Sequence, residues 1–394
     1  MKIGQIISAP PFAWETGGCA RVAFDISRAL ARKDHDVTII TTDLFRPGTR
    51  YPASKMHEQI DGVDILRFPC ISDSLAWKYK MPLSPGLASY LGKHIGEYDI
   101  IHLQDLISYQ AIATIRHCRR SGVPYVLTAH GSLPWMASDG LINRVYRSLW
   151  GSHILSGASK IIVLNRTERE LCERLGVESE RTMILPNGIC LSDYSDLPGK
   201  GEFRNRYGID EKNIVLYLGR LHPTKGLDGL LLSFSDLLKE CPDAVLVMIG
   251  PDDGMRPMLQ RIAGKEGIID HVHFIGYVEH RDKLAALIDA DVLVTPRFTG
   301  FPITFVEACV SGLPIITTTD GDTLDWIHDK VGLVTGHGRA ELKRAMLSVL
   351  RDDELRARLG AEGKGMAMTR FNWDSITNEI VAAYDEAVAG RNHG

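Results

Sequence analysis

The chain has 394 residues, 44% hydrophobic and 24% charged, with a formal net charge of −4. That length suits about two globular domains, and the balance excludes a collagenous or disordered chain. No apolar run approaches the ~18 residues of a membrane-spanning helix, and the seven scattered cysteines (Cys19, Cys70, Cys118, Cys172, Cys190, Cys241, Cys309), never spaced C-x-x-C, read as reduced thiols rather than a zinc site or a disulfide framework.

Met1–Ile7 enters a strand pattern directly, without the apolar core and cleavage site of a signal peptide, so a cytoplasmic protein is expected. From there, β-branched runs alternate with helical patterns. Strands are predicted at 2–7, 36–41, 63–68, 99–102, 124–129, 160–164 and 182–185, with helices at 18–32, 106–120 and 140–156 between them. Runs such as Tyr125-Val126-Leu127-Thr128 read as strands buried on both faces of a parallel sheet. After the turn signal Pro186-Asn187-Gly188, the polar stretch Ser192–Gly201 reads as a linker. The scheme then repeats, with strands at 213–218, 244–249, 271–275, 291–295 and 314–317 and helices at 226–239, 255–266, 281–289, 304–311 and 339–351. An amphipathic helix follows Phe371-Asn372-Trp373. This alternation predicts two doubly wound, Rossmann-like α/β domains, whose ligands sit at the carboxyl ends of the strands.

Four segments at such strand ends can carry chemistry. Gly17-Gly18 stands at a strand-to-helix turn, either as an ordinary tight turn or as an opening for an anion at a helix N-terminus. His130-Gly131 ends the strand at 124–129, where a ligand histidine and a turn histidine are equally at home. Gly219-Arg220 with Lys225-Gly226 puts a guanidinium fork and an ammonium on the loop leaving the strand at 213–218, a set suited to phosphate oxygens. Thr299-Gly300-Phe301-Pro302-Ile303-Thr304 opens a helix that carries Glu307, a carboxylate able to take vicinal hydroxyls. The patterns Asp34-x-Asp36 and Asp320-x-Asp322 read as turns and not as metal sites, because neither has His or Glu at ligand spacing.

Taken together, these segments resemble glycosyltransferase family 4, the retaining nucleotide-sugar transferases of GT-B fold. The resemblance also rests on Asp99-Ile100-Ile101-His102, Pro186-Asn187-Gly188-Ile189, Phe274-Ile275-Gly276, Glu307-Ala308 and Gly312-Leu313-Pro314, and it covers nearly the whole length. It implies two Rossmann-like domains facing across a cleft: an acceptor-side domain over 1–190, with the helix of 371–394 returning to it, and a donor domain over 191–370. It implies that Arg220 and Lys225 hold the donor diphosphate and that Gly17 and Gly18 approach it from the N-terminal side. It gives the transferred sugar to His130 and the ribose to Glu307, lines the base with the segment ending in Tyr277 and Val278, and cradles phosphate and sugar with Thr299, Gly300, Phe301, Ile303 and Thr304. His130, Arg220 and Lys225 would be the catalytic residues. A UDP-sugar donor is the family's commonest case, and no cofactor or metal is required.

Two positions depart from the family pattern. Thr299 stands where the family carries a second acid eight residues before the ribose-binding one, and Pro302 removes an N–H from the sugar loop. Both touch the sugar end of the donor, which points to altered sugar choice. They also keep a sugar-nucleotide epimerase or phosphorylase and a non-catalytic sugar-nucleotide binder as alternatives. Residues 1–190 carry a net charge of +4 and the remainder −8. Arg144 and Arg147 lie among Leu141, Val145, Tyr146, Leu149 and Trp150, while Lys78 and Lys80 flank Tyr79 beside Trp77. Two readings of these stretches stand: a core helix with a solvated face, or peripheral docking to the anionic cytoplasmic face of a membrane with a lipid-linked or glycan acceptor. Nucleic acid is not an expected partner of a chain with this charge.

Overall fold

The computed structural model describes residues 1–12, 18–79, 81–298, 301–318 and 324–391. They divide into two compact units, Met1–Asn187 with Trp373–Gly394, and Gly188–Asn372.

The first unit is built on strands β1 (Lys2–Ile6), β2 (Asp36–Thr42), the small hairpin β3 (Leu44–Arg46) and β4 (Thr49–Arg50), β5 (His57–Ile60), β6 (Val63–Phe68), β7 (Ile100–Leu103), β8 (Tyr125–Thr128), β9 (Lys160–Val163) and β10 (Thr182–Ile184). Eight of these form one sheet in the order β10-β9-β8-β7-β1-β2-β6-β5. Pairing is parallel throughout except at the edge, where β5 and β6 form an antiparallel hairpin around Asp61-Gly62. Strand β5, His57-Glu58-Gln59-Ile60, has no buried residue. A polar edge strand of this kind carries no apolar run, so hydrophobic periodicity does not reveal it. The helix Trp373–Arg391 packs into this unit. Its Tyr384 is fully buried, and its Asp374 and Glu386 pair with Arg32 at 2.8 Å and Lys160 at 2.9 Å. The helix predicted at 140–156 is present as Leu141–Tyr146, a π-helical turn Arg147–Gly151 and Ser152–Gly157. Its two ends differ: none of the residues of Leu141–Tyr146 is buried, whereas Gly151, Ile154 and Leu155 are.

The second unit contains β11 (Asn213–Leu218), β12 (Ala244–Ile249), β13 (Val272–Gly276), β14 (Val292–Thr295), β15 (Ile315–Thr318) and β16 (Gly332–Thr335), all parallel in the order β13-β12-β11-β14-β15-β16. Every residue of β11 and β12 is buried. Alternate side chains enter two separate apolar clusters: Ile214, Leu216, Val245 and Val247 on one face, Val215, Tyr217, Leu246 and Met248 on the other. Strand side chains alternate in direction, so only a sheet covered on both faces buries all of them. The stretch expected as a linker belongs to this core. Leu191–Tyr194 forms a 3₁₀ turn, Tyr194 is buried, and Leu197 packs on the same cluster as β11. Its polar composition hid two apolar anchors.

The end of β12 holds the tightest backbone approach near the expected diphosphate loop. Gly250 has φ +141°, and a Cβ there would lie 2.0 Å from the carbonyl oxygen of Gly219. The two turns are further tied by Gly219 N–H donating to Ile249 O at 2.9 Å and Gly250 N–H donating to Gly276 O at 2.8 Å. Gly250→Ala therefore forces the Gly219–Arg220 turn to move. It should cost about 1–3 kcal/mol of stability, read by urea unfolding, whereas Gly229→Ala, at an open helical position, should be neutral or stabilising.

Candidate active site

In the second unit, the loops leaving β11, β12, β13 and β14 gather the residues singled out in the sequence. Arg220 follows β11, and its carbonyl accepts from the Tyr217 hydroxyl at 2.8 Å. Its half-exposed guanidinium is held by Asp253, with Nε 2.6 Å from Oδ2. Asp253 lies on the loop after β12, which is locked back onto the first loop by Asp253 N–H donating to Leu221 O at 3.1 Å. The neighbouring Asp252 accepts from the N–H groups of Met255 and Arg256 at 2.8 and 3.0 Å, which fixes the turn leading into the helix Arg256–Lys265. One carboxylate thus organises the loop while the next aims the guanidinium.

Lys225 closes the 3₁₀ turn Pro223–Lys225, which begins with His222 accepting from Thr224 N–H at 3.3 Å. Gly226 follows at φ +67°, and a Cβ there would sit 3.3 Å from Cγ of Arg297. The Lys225 loop therefore rests on the loop after β14, where Arg297 is exposed. The ring of Phe301 stacks on Trp326 at 5.2 Å, and Phe301 and Ile303 both pack against the apolar cluster. Phe301, Ile303 and Thr304 are each half-buried where the loop enters the helix Ile303–Ser311. Pro302 is the N-cap of that helix. Tyr277 is half-exposed just beyond β13, while Val278 packs inward. Gly17, Thr299, Gly300, Lys80 and the pair Asp320 and Asp322 lie outside the described residues; Gly18 is the first residue of the helix Gly18–Ala31.

Glu307 lies on the inner side of Ile303–Ser311 and is only 3% exposed. Its Oε1 accepts from the Tyr194 hydroxyl at 3.1 Å and pairs with Lys283. The carboxylate expected at the ribose is therefore braced from within its own unit. Lys283 comes from the helix His280–Asp289 and Tyr194 from the supposed linker. Pairing of this kind is what allows a carboxylate to remain charged when buried.

In the first unit, His130 stands just past β8 with φ +47°, a conformation rare for a residue with a Cβ. Its Nε2 is 2.7 Å from Oε1 of Gln104. Gln104 in turn donates to Gln5 at 2.7 Å and faces Nδ1 of His102 at 3.2 Å. His102 Nδ1 receives the Tyr384 hydroxyl at 2.6 Å, and its Nε2 meets Thr128 at 2.7 Å. The amide oxygen of Gln104 can only accept, so His130 carries its proton on Nε2 and keeps a lone pair on Nδ1. Burial pushes His130 down to about 4 and His102, with His130 as its neighbour, down to about 3. Both rings are therefore neutral at pH 7. His102 is a fully buried strut.

Comparison with known proteins decides the family. Residues 17–188 match the family described as "Glycosyl transferase 4-like domain", and residues 199–366 match "Glycosyl transferases group 1". The chain is a family 4 glycosyltransferase. It is 26% identical to an uncharacterised glycosyltransferase of Methanocaldococcus jannaschii, over 98% of this chain and 99% of that one. It is 28% identical to the phosphatidyl-myo-inositol mannosyltransferase of Mycobacterium leprae, over 78% and 79%. Its fold matches that of the Anabaena protein HepE, solved in complex with UDP, with a TM-score of 0.77 at 20% identity over 98% and 100% of the two chains. The fold is GT-B, with two α/β domains on parallel sheets.

For this glycosyltransferase, the supporting residues escaped sequence reading. Asp253, Lys283, Tyr194 and Gln104 each act on an expected site residue from a distant element. Only Asp253 left a local signal, the turn Pro251-Asp252-Asp253-Gly254 after a strand.

The His130 network makes two predictions. Unfolded histidines titrate near 6.5, so the unfolded state binds more protons below that pH. The contribution of His102 and His130 to stability is full above pH 6.5 and is lost as pH falls toward the folded values, at ~1.4 kcal/mol per pH unit for each ring. Urea unfolding at pH 7 and pH 5 should show this decline, and His102→Gln should reduce it. Gln104→Glu sets a carboxylate against His130 Nε2 and should raise the His130 pKa by roughly one to three units, followed by ¹⁵N NMR titration of the ring.

Proposed function

We propose that the protein transfers a sugar, with retention of anomeric configuration, from a UDP-sugar to a hydroxyl acceptor on a glycan or lipid. The reaction needs no metal and takes place in the cytoplasm, in peripheral contact with the membrane. The observation that carries the donor half of this reading is the pair of cations, Arg220 and Lys225, on a glycine-hinged loop at the carboxyl end of β11. The UDP bound in the HepE complex and the phosphatidyl-myo-inositol in the name of the M. leprae relative support the donor and acceptor classes. No helix among the described residues is long and apolar enough to cross a membrane, so the reading invokes surface contact.

The chemistry follows from charge. The bond from the anomeric carbon to the diphosphate oxygen breaks, and its electron pair stays on that oxygen. The acceptor oxygen bonds to the same face of the sugar, and its proton passes to the departing phosphate. Arg220, aimed by Asp253, and Lys225 meet the charge that develops on the diphosphate, aided by the first amides of the helix Ile303–Ser311. Neutral His130 offers its Nδ1 lone pair to a sugar hydroxyl. Glu307, held by Lys283 and Tyr194, takes the ribose, and Tyr277 with Val278 borders the base.

A mass-spectrometric screen of UDP-, GDP-, ADP- and dTDP-sugars, with and without acceptor lipids, tests this reading. A UDP-sugar should turn over, EDTA should leave the rate unchanged, and Arg220→Ala or Lys225→Ala should each lower turnover about a hundredfold or more. Release of an altered sugar without acceptor would mark an epimerase, and donor affinity without turnover a binder. Full activity in either alanine variant would refute the diphosphate assignment.

A further inference from the structure

The helical stretch from Leu141 to Gly157 turns apolar side chains outward. Leu141 is 78% exposed, Ile142 76%, Leu149 53% and Val145 49%. Leu141, Val145 and Leu149 follow one another at intervals of four, so they form a single ridge with Ile142 beside it. The opposite side of the stretch is anchored in the unit. The Tyr146 hydroxyl donates to Leu106 O at 2.9 Å, Ile154 and Leu155 are buried, and Gly151 packs so closely on Met136 that a Cβ would lie 2.3 Å from its Cε. The helix therefore cannot roll to hide the ridge without tearing out its inner face. Two partly exposed tryptophans flank it, Trp150 beside Tyr146 with ring centroids 5.6 Å apart and Trp135 against the same ring at 5.8 Å.

The chain that carries the ridge is poor in acid. After the exposed Asp139, no Asp or Glu occurs until Glu168, while the stretch carries Arg144, Arg147, Arg166 and Lys160, the last paired with Glu386. Arg144 is exposed next to the ridge. Arg147 is partly committed inward, its Nη1 donating to Met136 O at 2.9 Å. The basic residues alone are thus too few to hold the protein on a surface, and the dominant feature is apolar. A bilayer interface accounts for all three features at once: apolar side chains enter the acyl boundary, tryptophans sit at the headgroup level, and arginines meet anionic lipid phosphates.

We infer that the 141–149 ridge inserts into the interface of an anionic lipid bilayer, with insertion of apolar side chains carrying the binding and Arg144 steering it. This deepens the membrane contact named under the proposed function by giving it a surface and a mechanism. It stands apart from the transfer reaction, since docking needs neither donor nor acceptor.

The test is cosedimentation of the full-length protein with vesicles of phosphatidylcholine alone and of phosphatidylcholine with an equal share of phosphatidylglycerol. Wild type should bind the anionic vesicles and stay largely bound at about 0.5 M NaCl, where surface attraction is screened. The combined variant Leu141→Ser, Val145→Ser, Leu149→Ser should lose at least tenfold in partitioning, with Ile142→Ser as a single, milder check if the combined variant unfolds by circular dichroism. Arg144→Gln should lose roughly fivefold on anionic vesicles only. Tryptophan emission should shift to the blue on binding, and Trp150→Phe should diminish that shift. Absence of wild-type binding to anionic vesicles, full release by salt, or unchanged binding by the serine variants would each overturn the inference. So would a concentration-dependent dimer that the serine variants abolish in a protein that ignores vesicles, because a second copy would then be what covers the ridge. Failure of sugar transfer with docking intact would fault the proposed reaction and leave this inference standing.

Discussion

The second unit depends on one close crossing of backbone, where Gly250 passes under the carbonyl of Gly219 with no room for a side chain. Three strand ends are stitched there by main-chain hydrogen bonds. Because the crossing fixes the turn after β11, the Arg220 guanidinium emerges within reach of Asp253 on the next loop. A cation placed by rigid backbone and aimed by a carboxylate needs little reorganisation when charge develops near it, which is the condition for electrostatic catalysis. The cost is borne by glycine, the residue that tolerates both the φ and the contact.

The same economy governs the buried polar groups. Glu307 is nearly inaccessible, yet a lysine and a tyrosine from two other elements of its unit meet it. In the first unit, Gln104 sits at the centre of a chain that runs from Tyr384 through His102 to His130. Glutamine amides have distinct donor and acceptor ends, so such a chain fixes proton positions as well as side-chain positions. Burial keeps the histidines uncharged, which suits a role as hydrogen-bond acceptor and not as acid at neutral pH. The strained backbone at His130 belongs to this picture, because its Gln104 bond and the packed strand end hold a conformation that the residue alone would leave.

The exposed ridge at 141–149 shows what happens when an apolar pattern meets no partner within its own unit. Its periodicity is that of an ordinary buried helix face. What differs is which face the anchors hold: Tyr146, Gly151, Ile154 and Leu155 occupy the inner side and leave Leu141, Ile142, Val145 and Leu149 outside. An exposed contiguous apolar surface of this kind is a feature to be explained by binding and not by folding.

Local signals were enough to place the fold class and most of the elements. Fully buried parallel strands such as Ile214-Val215-Leu216-Tyr217 are continuous apolar runs, and the glycines and cations at their ends are local signals. Such signals could not show the polar edge strand β5, whose pairing with β6 leaves no apolar trace, nor the inward anchors Tyr194 and Leu197 inside a polar stretch. Only the tertiary structure decided which face of the 141–157 helix turns outward, that Phe301 and Ile303 pack inward, and that Asp253, Lys283 and Gln104 complete the sites around Arg220, Glu307 and His130. The physical reason is sequence separation. A side chain's periodicity and turn chemistry are local, whereas its hydrogen-bond and ion-pair partners are set by strand order and helix packing, which bring together residues that are 24, 26 or 33 positions apart.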